Sequence, residues 1–120
     1  MKLEQLKKLR KIKISNKLFT AKVEMQIPFA DLSKSDLSIV YVTFPEGVHN
    51  KFHRHSTDQI LIVTEGQGFV ETKTKKIKVK EGDIIYTPKG EVHKHGALPG
   101  YKFTHISITK SKSIITQVEG

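Results

Sequence analysis

The chain has 120 residues, 37% of them hydrophobic, which suits one domain with a single modest core. It contains no cysteine, which excludes disulfides and thiolate metal ligands and fits a reducing, cytoplasmic setting. No apolar run approaches the ~18 residues of a membrane span, and the opening MKLEQLKKLRKIKIS lacks the apolar stretch of a secretory signal. The formal net charge of +9 invites a nucleic-acid partner. Its distribution argues against one, because the lysines gather in residues 2–17 and 73–80 with no aromatic stacking platform among them. A solvated basic surface is expected, able to draw an anionic substrate toward the domain, with no nucleic acid and no membrane as partner.

Residues 1–17 form a basic arm or short element. Leu3, Leu6 and Leu9 are spaced for one face of a short helix, while KIKI at 11–14 alternates like a strand, and both readings stand. Residues 18–120 read as one β domain. LFTAKVEMQI, DLSIVYVTF, QILIVTEG, GFVETKT, KKIKVK, DIIYTP and YKFTHISIT are rich in β-branched and aromatic residues. Turn signals divide them at Pro28, at PEG 45–47, EGQG 65–68, EGD 81–83, PKG 88–90 and LPG 98–100. In KKIKVK, Lys76, Lys78 and Lys80 alternate with Ile77 and Val79, as on a strand with one solvated face. Gly66-Gln67-Gly68 is expected to be hairpin-turn geometry. Short strands at this spacing predict an antiparallel, all-β sandwich or barrel, with no repeat and no linker to a second domain.

Six histidines fall in this chain: His49, His53, His55, His93, His95 and His105. Residues two apart on a strand project from the same face, so His53 and His55 can converge on one point, and so can His93 and His95. Imidazole nitrogen suits Mn, Fe, Co, Ni, Cu or Zn, and three or four such donors around an open position make a catalytic metal site. The competing reading is a set of surface histidines at strand ends.

The glycines add a resemblance. Gly47, His53, His55, Gln59 and Gly66 stand at the intervals of the first cupin motif, G-x5-H-x-H-x3-E-x6-G. Gly82, Pro88, Gly90 and His93 match the second, G-x5-P-x-G-x2-H-x3-N. The chain thus resembles a small single-domain cupin, which implies a double-stranded β-helix barrel with a metal at its mouth held by His53, His55, residue 59 and His93. Two positions depart from the pattern: the glutamate is Gln59 and the final asparagine is Ala97. An amide oxygen can still coordinate, and Gln59 shares a strand face with Leu61 and Val63, so it is expected to point inward and remain a ligand. Three imidazoles and an amide leave a divalent ion its full +2 charge. That favours Lewis-acid chemistry and anionic ligands and makes oxidation of the metal harder.

HxHxxxQxLIVTEGxG, GDxIYxPxGxxHxHGA and FTHISI further resemble the small cupins related to carboxymuconolactone-decarboxylase-associated proteins, some of which are manganese-dependent hydroxynitrile lyases. That likeness implies one divalent ion, Mn2+ first, then Fe2+, with Zn2+, Ni2+ or Co2+ as alternatives. It also implies that His95 and His105 line the pocket. His95 reads either as a further donor or proton shuttle, or as a hydrogen-bond partner of a neighbouring strand. His105 shares a strand face with Phe103 and Ser107; the opposite face, Thr104, Ile106 and Ile108, is the more apolar. Hydrophobicity alone would therefore turn His105 to solvent, whereas the resemblance turns it inward as general base. Val40, Val42, Phe44, Leu61 and Phe103 are expected to wall an apolar substrate pocket. His49 is read as surface and Asp58 as a turn residue.

No nucleophile triad, phosphate loop or dinucleotide fingerprint is present. The sequence therefore points to a metal-binding cupin, with lyase-type chemistry on a small oxygen-bearing substrate. An Fe(II)-dependent oxygenase and a non-catalytic sensing module are the rival readings. A homodimer is expected, because strands such as DLSIVYVTF would otherwise leave an apolar face exposed.

Overall fold

Alternation along the β-branched runs decides the architecture. In the computed structural model, which describes residues 1–32 and 34–120, the chain forms one curled antiparallel sheet, a half-barrel. Its strands are β1 (Ile12–Ile14), β2 (Val23–Gln26), β3 (Leu37–Phe44), β4 (His53–His55) and β5 (Gln59–Thr72), followed by β6 (Lys76–Lys80), β7 (Ile84–Thr87), β8 (His93–Ala97), β9 (Phe103–Lys110) and β10 (Ile115–Gln117). No helix of the described residues is long and apolar enough to cross a membrane.

The N-terminal segment combines both of its sequence readings. Leu6–Lys8 form a single 3-10 turn, and Ile12–Ile14 pair antiparallel with β2, which joins this segment to the sheet. The Gln26 side-chain amide donates to the carbonyls of Leu6 and Leu9 and ties the turn down.

β5 departs from the sequence reading. QILIVTEG and GFVETKT are not two strands joined at Gly66–Gly68; they are one strand, Gln59–Thr72, with a register shift between Val63 and Glu65. Its first half pairs with β9 and β7, its second half with β8 and β6, so β5 passes from one wall of the half-barrel to the other. Gly66 allows that bend. Its φ is +78°, and a Cβ there would lie 1.7 Å from the Lys102 carbonyl oxygen. The hairpin comes later, where the Thr72 N–H donates to the Lys75 carbonyl at 2.8 Å. Lys76, Lys78 and Lys80 are solvent-exposed as expected, with Val79 buried beneath them.

The interior is graded. On β3 and β9 the inward-facing partners are Phe44 with Phe103, Val42 with His105, Val40 with Ser107 and Ser38 with Thr109. Phe44 and Phe103 pack with Val23, Val63, Val79 and Ala97 to form the closed apolar end. The polar partners lie toward the open end, and the histidines sit between.

Candidate metal centre

Two motifs forty residues apart meet because β4 and β8 pair antiparallel with His53 directly opposite His93. His55 lies two residues along β4 on the same inward face, and the burial of β4 alternates accordingly, with Arg54 exposed between two buried histidines. The ring centroids are 4.4 Å apart for His53 and His93, 5.0 Å for His53 and His55, and 5.4 Å for His55 and His93. One nitrogen from each ring falls within 4.8 Å of the others. The loops holding the two motifs are stitched together as well. Gly90 N–H donates to the His55 carbonyl at 2.9 Å, and Lys89 N–H to Asp58 Oδ1 at 2.8 Å, so Asp58 is the turn residue expected.

Hydrogen bonds fix which nitrogen faces inward. His53 Nδ1 lies 2.7 Å from the Lys51 carbonyl and His93 Nδ1 lies 2.9 Å from the Glu91 carbonyl. A carbonyl only accepts, so in each ring Nδ1 carries the proton and Nε2 turns a lone pair toward the centre. His55 Nε2 is buried with no partner at all. Gln59, the first residue of β5, is buried; its Nε2 donates to Ser107 Oγ at 2.9 Å and its Oε1 faces His93 Nε2 at 3.2 Å. Two acceptors at that distance suit neighbouring ligands of one ion with bonds of about 2.1 Å. The donor set fits a divalent cation.

The site's electrostatics agree. Burial pushes the His53 and His55 imidazoles down to about 4 and lowers His93 too, and the neighbouring imidazoles oppose a second proton on His53 and His55. All three are neutral near pH 7, the form a metal requires. The buried polar residues are five histidines, Asn50, Gln59 and Thr87, with no carboxylate among them.

His105 points inward, as the resemblance implied and hydrophobicity did not. It is 1% exposed, and neither ring nitrogen has a hydrogen-bond partner. Its ring lies 4.9 Å from that of His95 and 5.5 Å from that of Phe44, and burial holds its pKa down to about 3. His95 is buried 5.7 Å from His93 and 5.8 Å from His53, with its pKa driven well below the ordinary value, chiefly by burial. Asn50, which sequence reasoning passed over, holds it: Oδ1 accepts from the His95 N–H at 2.8 Å, and Nδ2 lies 3.3 Å from a ring nitrogen. His49 is half-buried over Gly96, outside the cluster.

A cavity of about 230 Å3 opens onto His53, His55, Gln59, His95 and His105. Val40, Val42 and Phe44 wall it as expected. Leu61 and Phe103 do not reach its surface; they are fully buried core, with Phe103 packed behind Phe44 and His105. Phe19 and Met25 complete the apolar wall. Neither belongs to a motif, so only the fold could place them there.

Residues 40–100 match the cupin domain family. Over 68 residues the chain is 37% identical to an (R)-mandelonitrile lyase of Granulicella tundricola, covering 56% of this chain and 52% of that protein. The chain spans about half the length of the curated relatives it matches. Among solved structures, a cupin-like protein of Thermotoga maritima is 31% identical with a TM-score of 0.79, covering 89% of this chain and 86% of the other. The polyketide cyclase RemF of Streptomyces resistomycificus superposes with a TM-score of 0.88 over 100% of this chain and 87% of its own, at 14% identity, a likeness of fold.

Proposed function

Since the chain belongs to the cupin domain family, we propose that it is a metal-dependent lyase acting on a small, apolar or aromatic, oxygen-bearing substrate. The observation that supports this most is the inward-facing set of His53, His55, His93 and Gln59 beside an apolar cavity that also exposes His95 and His105. The partial likeness to a mandelonitrile lyase points the same way. Imidazole and amide-oxygen donors are compatible with Mn2+, Fe2+, Co2+, Ni2+ and Zn2+; the resemblance to manganese-dependent hydroxynitrile lyases is what puts Mn2+ first and Fe2+ next. A divalent ion bound by these four residues supplies a Lewis acid for the substrate oxygen.

The chain's own residues do the rest. Val40, Val42 and Phe44 hold the apolar body and exclude water. His105, neutral and with both nitrogens unpartnered, takes the proton of the substrate hydroxyl. The bond to the leaving carbon then breaks, its electron pair departs with that carbon and a carbonyl forms; the proton held by His105, directly or through His95, goes to the leaving group. No external oxidant or reductant is needed.

The protein acts as a homodimer in this reading. On the outer face of β3, β9, β5 and β7, Ile39, Tyr41, Ile60, Ile84, Tyr86 and Ile106 sit on neighbouring strands. Ile60, Ile84 and Tyr86 are solvent-exposed in the single chain and adjoin one another across β5 and β7, an apolar patch of the kind that marks an interaction site.

The test is to purify the protein, measure its metal by elemental analysis, and follow benzaldehyde release from mandelonitrile. Metal-dependent release faster than the spontaneous reaction supports the lyase reading. Oxygen consumption with no carbon–carbon cleavage by the metal-loaded protein would overturn it in favour of an oxygenase.

A further inference from the structure

Gln59 brings an amide to the histidine cluster, and the two ends of an amide are unlike. The oxygen accepts and can serve a cation; the nitrogen carries two N–H groups and opposes one. Which end faces the ring nitrogens decides whether residue 59 opens the site to an ion or closes it. In the structure Oε1 lies 3.2 Å from His93 Nε2, while Nε2 donates to Ser107 Oγ at 2.9 Å. Turned end for end, the amide would give an N–H to the His93 Nε2 lone pair, since the proton of that ring sits on Nδ1 beside the Glu91 carbonyl. That arrangement removes one donor and covers a second.

The strand register explains the Ser107 contact. Leu61 lies directly opposite Ser107 of β9, and Gln59 stands two residues earlier on the same face, so Ser107 is its diagonal neighbour, within reach of a long side chain. The residues paired with Ser107, Val40 and Leu61, have apolar side chains and offer no alternative acceptor. Among the described residues Ser107 Oγ is the only hydrogen-bond acceptor of Gln59 Nε2. Gln59 is 4% exposed, so without that acceptor its N–H would be buried and unpaired.

We propose, resting on the metal-dependent reading above, that Ser107 is a positioning residue for the metal centre: by accepting the Gln59 N–H it holds the amide oxygen toward the ion. With alanine at 107 the N–H has one partner left, the His93 lone pair, and the amide turns over. A carboxylate at residue 59 would need no such orientation, because its two ends are alike. Ser107 therefore answers to the glutamine that departs from the motif.

The experiment measures the affinity of the full purified chain for Mn2+ and for Zn2+ by chelator competition, without turnover. Ser107→Ala should weaken binding by about ten- to a hundredfold, the usual effect of removing a group that orients a ligand. Ser107→Thr, which keeps the hydroxyl, should stay within about threefold of the natural protein. In a Gln59→Leu background Ser107→Ala should change affinity by less than about twofold, because no amide is left to orient. Unchanged affinity in Ser107→Ala, a loss that Ser107→Thr does not restore, or an equal loss in the Gln59→Leu background would each overturn the assignment. A natural protein that holds neither ion removes the metal-dependent reading and this assignment together. The expected Ser107 effect in a protein without lyase activity sinks the lyase reading alone.

Discussion

Gln59 Oε1 and His93 Nε2 face each other at 3.2 Å across the interior, Gln59 at the start of β5 where it pairs with β7, and His93 on β8, which pairs with the far end of β5. With His93 Nδ1 committed to the Glu91 carbonyl, two lone pairs are held together with no proton between them. A shared cation satisfies both. Replacing His53, His55 or His93 by Ala should each reduce bound metal sharply in elemental analysis. Gln59→Glu should retain the metal and lower its oxidation potential. Full metal occupancy in all three histidine variants would exclude this centre, and loss of metal in Gln59→Glu would exclude residue 59 from it.

His105→Ala should lower turnover by about a hundredfold, the usual scale for a general base. Metal content should stay as in the natural protein, because His105 lies outside the triad of converging nitrogens. A variant of undiminished kcat would remove His105 from the chemistry.

The buried histidines set a direction for stability against pH. His53 and His55 titrate at about 4 and His105 at about 3 in the folded chain, and His93 and His95 are lowered too. An unfolded histidine titrates near 6.5, so below that pH the unfolded chain binds more protons and stability falls as pH falls toward the folded values. Metal-free protein should therefore lose about 1 kcal/mol per pH unit for each such histidine between about pH 6 and 4, measured by urea denaturation. A flat profile across that window would show these rings to be solvated.

Light scattering at micromolar concentration should give a dimer mass. Ile84→Lys places a charge on the exposed outer face at a position 69% accessible in the single chain, and should yield a folded monomer. A monomeric natural protein would refute the outer-face interface.

At Gly66 the backbone leaves no room for a side chain. Gly66→Ala should cost on the order of 3 kcal/mol or more, because the left-handed φ and the Lys102 carbonyl both oppose a Cβ. An equal melting temperature would contradict the bend.

The histidine cluster was legible because fixed intervals in the sequence become fixed registers in the sheet. His-x-His puts two rings on one face wherever a strand forms, and the second motif falls opposite the first once β4 and β8 pair. The β5 bend was not legible. A glycine pair between apolar runs looks the same whether the chain reverses or only turns a corner, and the difference is decided by which distant strands β5 meets. Asn50, Phe19 and Met25 were hidden for a related reason, since they reach the cavity only through pairings made far along the chain. The orientation of His105 went against the hydrophobicity of its own strand. Ile106 and Ile108 lie on the outer face and pair with Tyr41 and Ile39 of β3, and with Ile62 and Ile60 of β5. That face was legible as apolar, but not as the outer one.

Because β5 pairs with β6, β7, β8 and β9, the molecule has almost no part that can form ahead of the rest. Only its hairpin with β6 is local; the pairing of β3 with β9 joins residues about sixty to seventy positions apart, from Phe44 with Phe103 to Leu37 with Lys110. Such a chain must close long loops before most of its contacts repay the lost entropy, so slow folding is the natural consequence. The metal donors come from β4, β5 and β8, and they converge only when that closure is complete. An ion held there would therefore act late, leaving the rate of assembly nearly untouched and lengthening the lifetime of the finished barrel.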